Sequence, residues 1–162
     1  MAGPTGCGLC GVESLAEAMR APDVVRATLG VTPRELLQAM TLLSQAQPLG
    51  RETRAAHAAG FWTPDAGLAA AREDVGRHNA LDKLVGALIR AGETRPGVVL
   101  LTSRVSVEMV QKTAAVGAPI LCAVSAPTAL AVRMAQAAGV TLVAVTRSDG
   151  FEVFTHAERV LM

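Results

Sequence analysis

Residues 97–146, GVVLLTSRVSVEMVQKTAAVGAPILCAVSAPTALAVRMAQAAGVTLVAVT, read as three apolar runs separated by two helical stretches. GVVLLTS, PILCAVS and VTLVAVT carry β-branched residues and leucine without the alternation of a half-exposed strand, so each is expected to be a strand buried on both faces. SVEMVQKTAAVG and APTALAVRMAQAAG have helical spacing and end in glycine. Strands that alternate with helices in this way form a largely parallel sheet covered on both faces, and the fold class is α/β.

Upstream, GRHNALDKLVGALIRAG sets Ala80, Leu81, Leu84, Val85, Leu88 and Ile89 on one side of a helix that stops at Gly92. Between Thr53 and Val75 the pattern shortens around GFWTPDAG, which predicts two strands joined by a turn. TPREL predicts a helix start: Thr32 can cap, Pro33 suits the first helical position and Glu35 completes a capping box. A further helix is expected over roughly Val12–Arg20, and FEVFTH reads as a short closing strand. The 162 residues are expected to form one domain, with no internal repeat or low-complexity linker.

Half of the residues are apolar (51%) but only 2% are aromatic, so the core must be built from alanine, valine, leucine and methionine. Fifteen basic and fourteen acidic residues leave a formal charge of +1, too little to argue for a nucleic acid or an anionic membrane as partner. The longest apolar region is interrupted by Arg133, Gln136, proline and glycine, and MAGPTGC lacks the basic and apolar regions of a signal peptide. A cytoplasmic, reducing location is the expectation, where three cysteines point to redox, sulfur or metal chemistry rather than a disulfide framework.

The strand ends carry polar residues: Thr102 and Ser103 after the first, Ser125 after the second, Arg147 after the third. In open α/β sheets ligands sit at the carboxyl ends of strands, where helix N-termini offer free N–H groups to anions. A phosphate-bearing ligand fits this edge. The plainer alternative makes Ser103 and Ser125 N-caps.

GPTGCGLCGVES, residues 3–14, places Cys7 and Cys10 among glycines. A zinc site would need two more ligands, and Cys122, His57, His78 and His156 stand at no recognisable spacing. A thioredoxin-like dithiol should follow a strand, and none precedes it. A buried structural pair belongs in an apolar run, as Cys122 does. A fourth reading beside these is a mobile thiol that carries sulfur, presented by a glycine-rich loop over residues 3–12 ahead of a helix N-terminus that favours the thiolate.

REDVGRHNALDK, residues 72–83, concentrates charge at a helix start. Acids belong there, whereas Arg77 and His78 do not, which points to an arriving anion or to pairing with Glu73 and Asp74. Asp82, four residues beyond His78, could orient its imidazole. His57, in TRAAHAA, reads by default as a hydrogen-bonded core histidine.

Taken together, CGLCG, EDVGRHNALDK, TSRVSVEMVQK, VSAPTALAV and FTHAERV, in this order from Gly6 to Leu161, resemble the formate dehydrogenase accessory sulfurtransferases, the FdhD family. The resemblance implies a three-layer α/β/α sandwich, cytidine-deaminase-like, without the deaminase zinc signature. It also implies a homodimer that carries sulfur from a cysteine desulfurase to the molybdenum bis(molybdopterin guanine dinucleotide) cofactor of formate dehydrogenase. Cys7 matches the persulfide-forming cysteine, and Cys10 is its neighbour. Val145, Thr146, Arg147, Ser148, Asp149 and Gly150 match the loop that binds the guanine dinucleotide, for which GDP-like nucleotides are expected mimics. Arg77, His78, Ser103 and Ser125 are expected to add phosphate or base contacts. Two departures stand out. Only six residues precede Cys7 where the family carries a sizeable region, so a truncated form or a fragment is expected, and the family's TG-x-x-H block is here Thr53-Arg54-Ala55-Ala56-His57.

Overall fold

Thr32 opens the first described helix, α1 (Pro33–Gln45), by the expected capping box. Its hydroxyl accepts from the Glu35 N–H at 3.3 Å while Glu35 accepts from the Thr32 N–H at 2.7 Å, and these bonds hold the Glu35 carboxyl below its usual range. The computed structural model describes residues 24–161. The Val12–Arg20 helix and the loop over 3–12 lie outside the described residues.

A short helix, α2 (Pro48–Thr53), follows and was not expected. It ends at Arg54 in the left-handed region (φ 52°) and its first turn is fastened from a distance, since Leu49 and Gly50 donate their N–H groups to Glu73 at 3.0 and 2.7 Å. Next come the two expected strands, β1 (His57–Thr63) and β2 (Gly67–Asp74), paired antiparallel through a turn whose Gly67 has φ +65°. The remaining elements are α3 (Arg77–Ala91), β3 (Val98–Leu101), α4 (Val107–Ala115), β4 (Ile120–Ala123), α5 (Ala129–Ala138), β5 (Thr141–Ala144) and β6 (Glu152–Val153), then a single 3-10 turn at Ala157–Arg159.

The six strands of the described residues form one sheet in the order β2-β1-β3-β4-β5-β6. It is parallel at its centre, β3 to β4 to β5, and antiparallel on both flanks, so the sheet is mixed. The closing strand is shorter than FEVFTH predicted. Beyond Phe154, whose N–H still donates to the Leu142 carbonyl at 2.8 Å, the Thr155 hydroxyl takes over from the backbone, accepting from the Leu142 N–H at 2.9 Å and donating to the Val140 carbonyl at 2.7 Å.

Alternation within the buried strands divides the core in two. Val99, Leu101, Leu121, Ala123, Leu142 and Ala144 cluster with Leu81, Leu84 and Leu88 of α3 and with α4 and α5. Val98, Leu100, Ile120, Cys122 and Val143 cluster with Leu36, Ala39, Met40 and Leu43 of α1. This gives the three layers, α3–α5 on one face and α1 on the other. Each of these leucines, removed from water, contributes about 1.5–3 kcal/mol. Among the described residues no helix is long and apolar enough to cross a membrane.

Candidate functional site

The strand directions bring the sequence-predicted residues to one edge of the sheet. Because β1 runs antiparallel to both neighbours, its first residue lies beside the ends of β2 and β3: His57 pairs with Asp74, and the Ala58 N–H donates to the Thr102 hydroxyl at 2.8 Å. The starts of α3, α4 and α5 and the segment after β5 lie at the same edge.

After β5 the backbone turns sharply. Val145 adopts φ +54°, unfavourable for a β-branched residue at about 1–3 kcal/mol. Thr146, buried, holds the turn in place: its hydroxyl donates to the Ala123 carbonyl at 2.9 Å and lies 3.5 Å from the Cys122 sulfur. The Arg147 N–H donates to the Gly150 carbonyl at 2.7 Å and closes the loop. One guanidinium nitrogen of Arg147 donates to the Val124 and Thr146 carbonyls at 2.9 and 3.1 Å, tying the ends of β4 and β5 together, while Ser148 and Asp149 are exposed. A cavity of about 230 Å³ lies between this loop and α1, lined by Leu37, Met40, Thr41, Val124, Thr146, Arg147 and Ser148. That volume suits part of a nucleotide rather than all of a large ligand.

Ser103 and Ser125 are not N-caps. The caps of α4 and α5 are Ser106 and Thr128, each three residues further on, and the Thr128 hydroxyl accepts from the Ala131 N–H at 3.1 Å. Ser103 is buried and donates to the Arg104 carbonyl, whereas Ser125 is half-buried at the end of β4.

At the first turn of α3, Glu73 and Asp74 do not pair with Arg77 and His78. Glu73 serves α2. Asp74 pairs with Lys83 at 2.5 Å and accepts from the Gly76 N–H and the Asn79 side chain, which together pull its carboxyl down to about 2. Nor does Asp82 orient His78, because Asp82 pairs instead with Lys112 of α4 at 2.7 Å. His78 is 7% exposed, and among the described residues neither its Nδ1 nor the buried Arg77 Nε has a hydrogen-bond partner. Burial pushes the His78 imidazole below its usual range, and the positive charge of Arg77 adds to this. His57 is half-buried at the start of β1.

Cys122 lies fully buried in β4, its thiol pushed up to about 12 by burial, which is the behaviour of a core residue. Cys7 and Cys10 lie outside the described residues. Among the described residues no group of three or more His, Cys, Asp and Glu side chains is placed to hold a metal ion. Sequence reasoning passed over Glu108. It occupies the first turn of α4, is 7% exposed, and accepts from the Ser106 hydroxyl at 2.5 Å. An acid in a first helical turn is ordinary, so the sequence carries no signal of this burial.

The model of a family described as FdhD/NarQ matches residues 1–161. A protein named sulfur carrier protein FdhD from Agrobacterium fabrum is 56% identical over the whole chain and 60% of its own length. A relative of the same name from Cupriavidus necator is 51% identical over 98% of the chain and 56% of its own length. A crystal structure described as a formate dehydrogenase accessory protein, from Desulfotalea psychrophila, superposes with a TM-score of 0.82 at 32% identity, over 90% of this chain and 60% of that one. The chain thus spans about 60% of the length of these relatives.

Proposed function

Because the chain belongs to the FdhD/NarQ family, we propose that it is a sulfur carrier for formate dehydrogenase, taking sulfur from a cysteine desulfurase and passing it to a molybdenum bis(molybdopterin guanine dinucleotide) cofactor. The observation that supports the reading is the strand-end edge, which a strained, fastened loop over 145–150 shares with the starts of three helices. Strain of this kind persists where surrounding structure enforces it, and it concentrates at ligand sites.

In the first step the Cys7 thiolate attacks the outer sulfur of the desulfurase persulfide. The donor S–S bond breaks, the desulfurase thiolate leaves, and Cys7 holds the new persulfide. Cys10, in the same glycine-rich loop, stabilises or relays it. The cofactor is the receiving substrate. Its dinucleotide rests on Val145, Thr146, Arg147, Ser148, Asp149 and Gly150, with Ser103 and Ser125 at the neighbouring strand ends and Arg77 and His78 at the start of α3. Thr146 and Arg147 keep the loop in register with β4, so the binding surface is already formed before the ligand arrives. Formate dehydrogenase is the client, the carrier works as a homodimer, and the setting is the cytoplasm.

The test is intact-mass spectrometry after incubation with a cysteine desulfurase and cysteine, on wild type and Cys7→Ala. The expected result is a reductant-sensitive species one sulfur heavier that is lost in the variant. A protein that binds GDP but takes up no sulfur would instead be a cofactor-binding chaperone.

A further inference from the structure

Two arginines at the end of α2 have no counter-charge. Arg51 and Arg54 are three residues apart, a spacing that puts side chains on one side of a helix about 5–6 Å from each other. Both are exposed, and both line a cavity of about 350 Å³ together with Ser44, Gln47, Gly50 and Ala56. Neither takes part in an ion pair among the described residues. Glu73, the acid that reaches α2 from β2, uses both carboxylate oxygens on the N–H groups of Leu49 and Gly50. One Arg51 nitrogen donates to the Gln45 carbonyl at 2.7 Å, which steadies its fork and leaves its charge unbalanced. Arg54 sits at φ 52°, a conformation that glycine adopts freely and other residues seldom do. Glycine would serve the backbone better there, so what the position supplies is the guanidinium.

The donor set narrows the class of partner. Free phosphate is commonly held by backbone N–H groups at a helix N-terminus, and at α2 Glu73 already occupies those of Leu49 and Gly50. What is left is two guanidinium forks, whose planar donors match carboxylates two bonds at a time. Alternate side chains on one face of an extended peptide are about 6.6 Å apart, close to the spacing of the two arginines. We propose that Arg51 and Arg54 dock an acidic, extended segment of a protein partner, each fork taking one of two carboxylates at alternate positions. This rests on the reading above for one point, that protein partners work at this edge. The cavity is lined by none of the residues assigned to the dinucleotide. The start of β1, into which α2 leads, lies three strand spacings, about 14 Å, from the end of β5. α1 runs past both places, since Leu37, Met40 and Thr41 line the loop cavity and Ser44 lines this one. A partner held by the arginines is thereby set beside the loop that follows β5.

The experiment is fluorescence anisotropy of the whole chain with a short labelled peptide of alternating glutamate and alanine, and with its glutamine counterpart. The proteins are wild type, Arg51→Ala, Arg54→Gly and, as a distant control, the exposed Arg90→Ala. Arg54→Gly suits the left-handed backbone and should not lower the melting temperature, so lost binding is not unfolding. Wild type is expected to bind the glutamate peptide and not the glutamine one, less tightly as salt rises. Each variant at the cavity should weaken binding about fivefold, the upper range for one exposed ion pair, and Arg90→Ala should leave it unchanged. Equal binding by wild type and Arg54→Gly would overturn the proposal. So would absence of binding by wild type, or release of the peptide by inorganic phosphate at constant ionic strength, the mark of a small-anion site. GDP titrated against Arg54→Gly keeps the two sites apart: unchanged affinity is expected, and weakened GDP would return the arginine to the dinucleotide surface and overturn the proposal. A chain that took up no sulfur would lose the carrier reading while the peptide result stood.

Discussion

The Thr146 hydroxyl donates to the Ala123 carbonyl at 2.9 Å, and the Thr146 N–H reaches the same oxygen at 3.2 Å, so one carbonyl at the end of β4 anchors the loop that follows β5. Thr146→Val keeps the shape and the N–H but loses the hydroxyl. It should cost about 1 kcal/mol of stability and weaken GDP, because the anchored loop is part of the proposed binding surface. Thr146→Ser should restore both. Denaturant melts read with GDP titrations check this, and a Val variant with unchanged nucleotide affinity would separate the anchor from the site.

Val145, one residue earlier, has φ +54°, which glycine adopts without penalty. Val145→Gly is therefore expected to raise stability by about 1 kcal/mol, against the usual direction for glycine, and to loosen the loop, lowering GDP affinity. Thermal melts and calorimetry read the two effects separately. A loss of stability would mean that Val145 packing outweighs its backbone strain.

The sequence made the central strands and their helices legible because local signals agreed: β-branched runs, and Gly92 and Gly139 stopping α3 and α5 in the left-handed region. The short α2 escaped notice. PLGRET has no apolar periodicity, and it is held by Glu73, a residue more than twenty positions further on. At the site, the gathering of strand ends was legible, but the partners of its charged residues were not. His78 and Asp82 are neighbours on one helix, yet Lys112 on another helix takes Asp82. Glu108 was passed over because an acid in a first helical turn is ordinary; only its burial sets it apart.

Burial of His78 sets a pH dependence. Its imidazole titrates lower in the folded chain than when unfolded, so as pH falls through about 6.5 the unfolded chain takes up the proton first and stability declines. Above that pH both states are neutral and the contribution is constant. Between pH 7 and 5 the wild-type melting temperature should fall more steeply than that of His78→Gln, which has no titrating ring. Parallel curves would show that the histidine is not responsible.

Close packing makes a stability prediction at Gly97. A Cβ there would lie 2.3 Å from Phe61 Cζ, and Phe61, only 3% exposed, has little room to move. Gly97→Ala should destabilise by about 1–3 kcal/mol, read as a lower denaturant midpoint with an unchanged slope. A midpoint equal to wild type would mean that the ring can shift.

Cys122 supplies the control for the sulfur chemistry. Its thiol is fully buried and pushed up to about 12, so almost none is thiolate at neutral pH, and no reagent reaches it without unfolding. Brief alkylation of the native chain should leave Cys122 unmodified, whereas guanidinium should expose all three cysteines of the sequence. Peptide mapping after each treatment reads this directly. If native Cys122 were labelled as fast as Cys7, sulfur uptake could not be assigned by total mass alone, and β4 would have to open far more readily than a strand buried on both faces should.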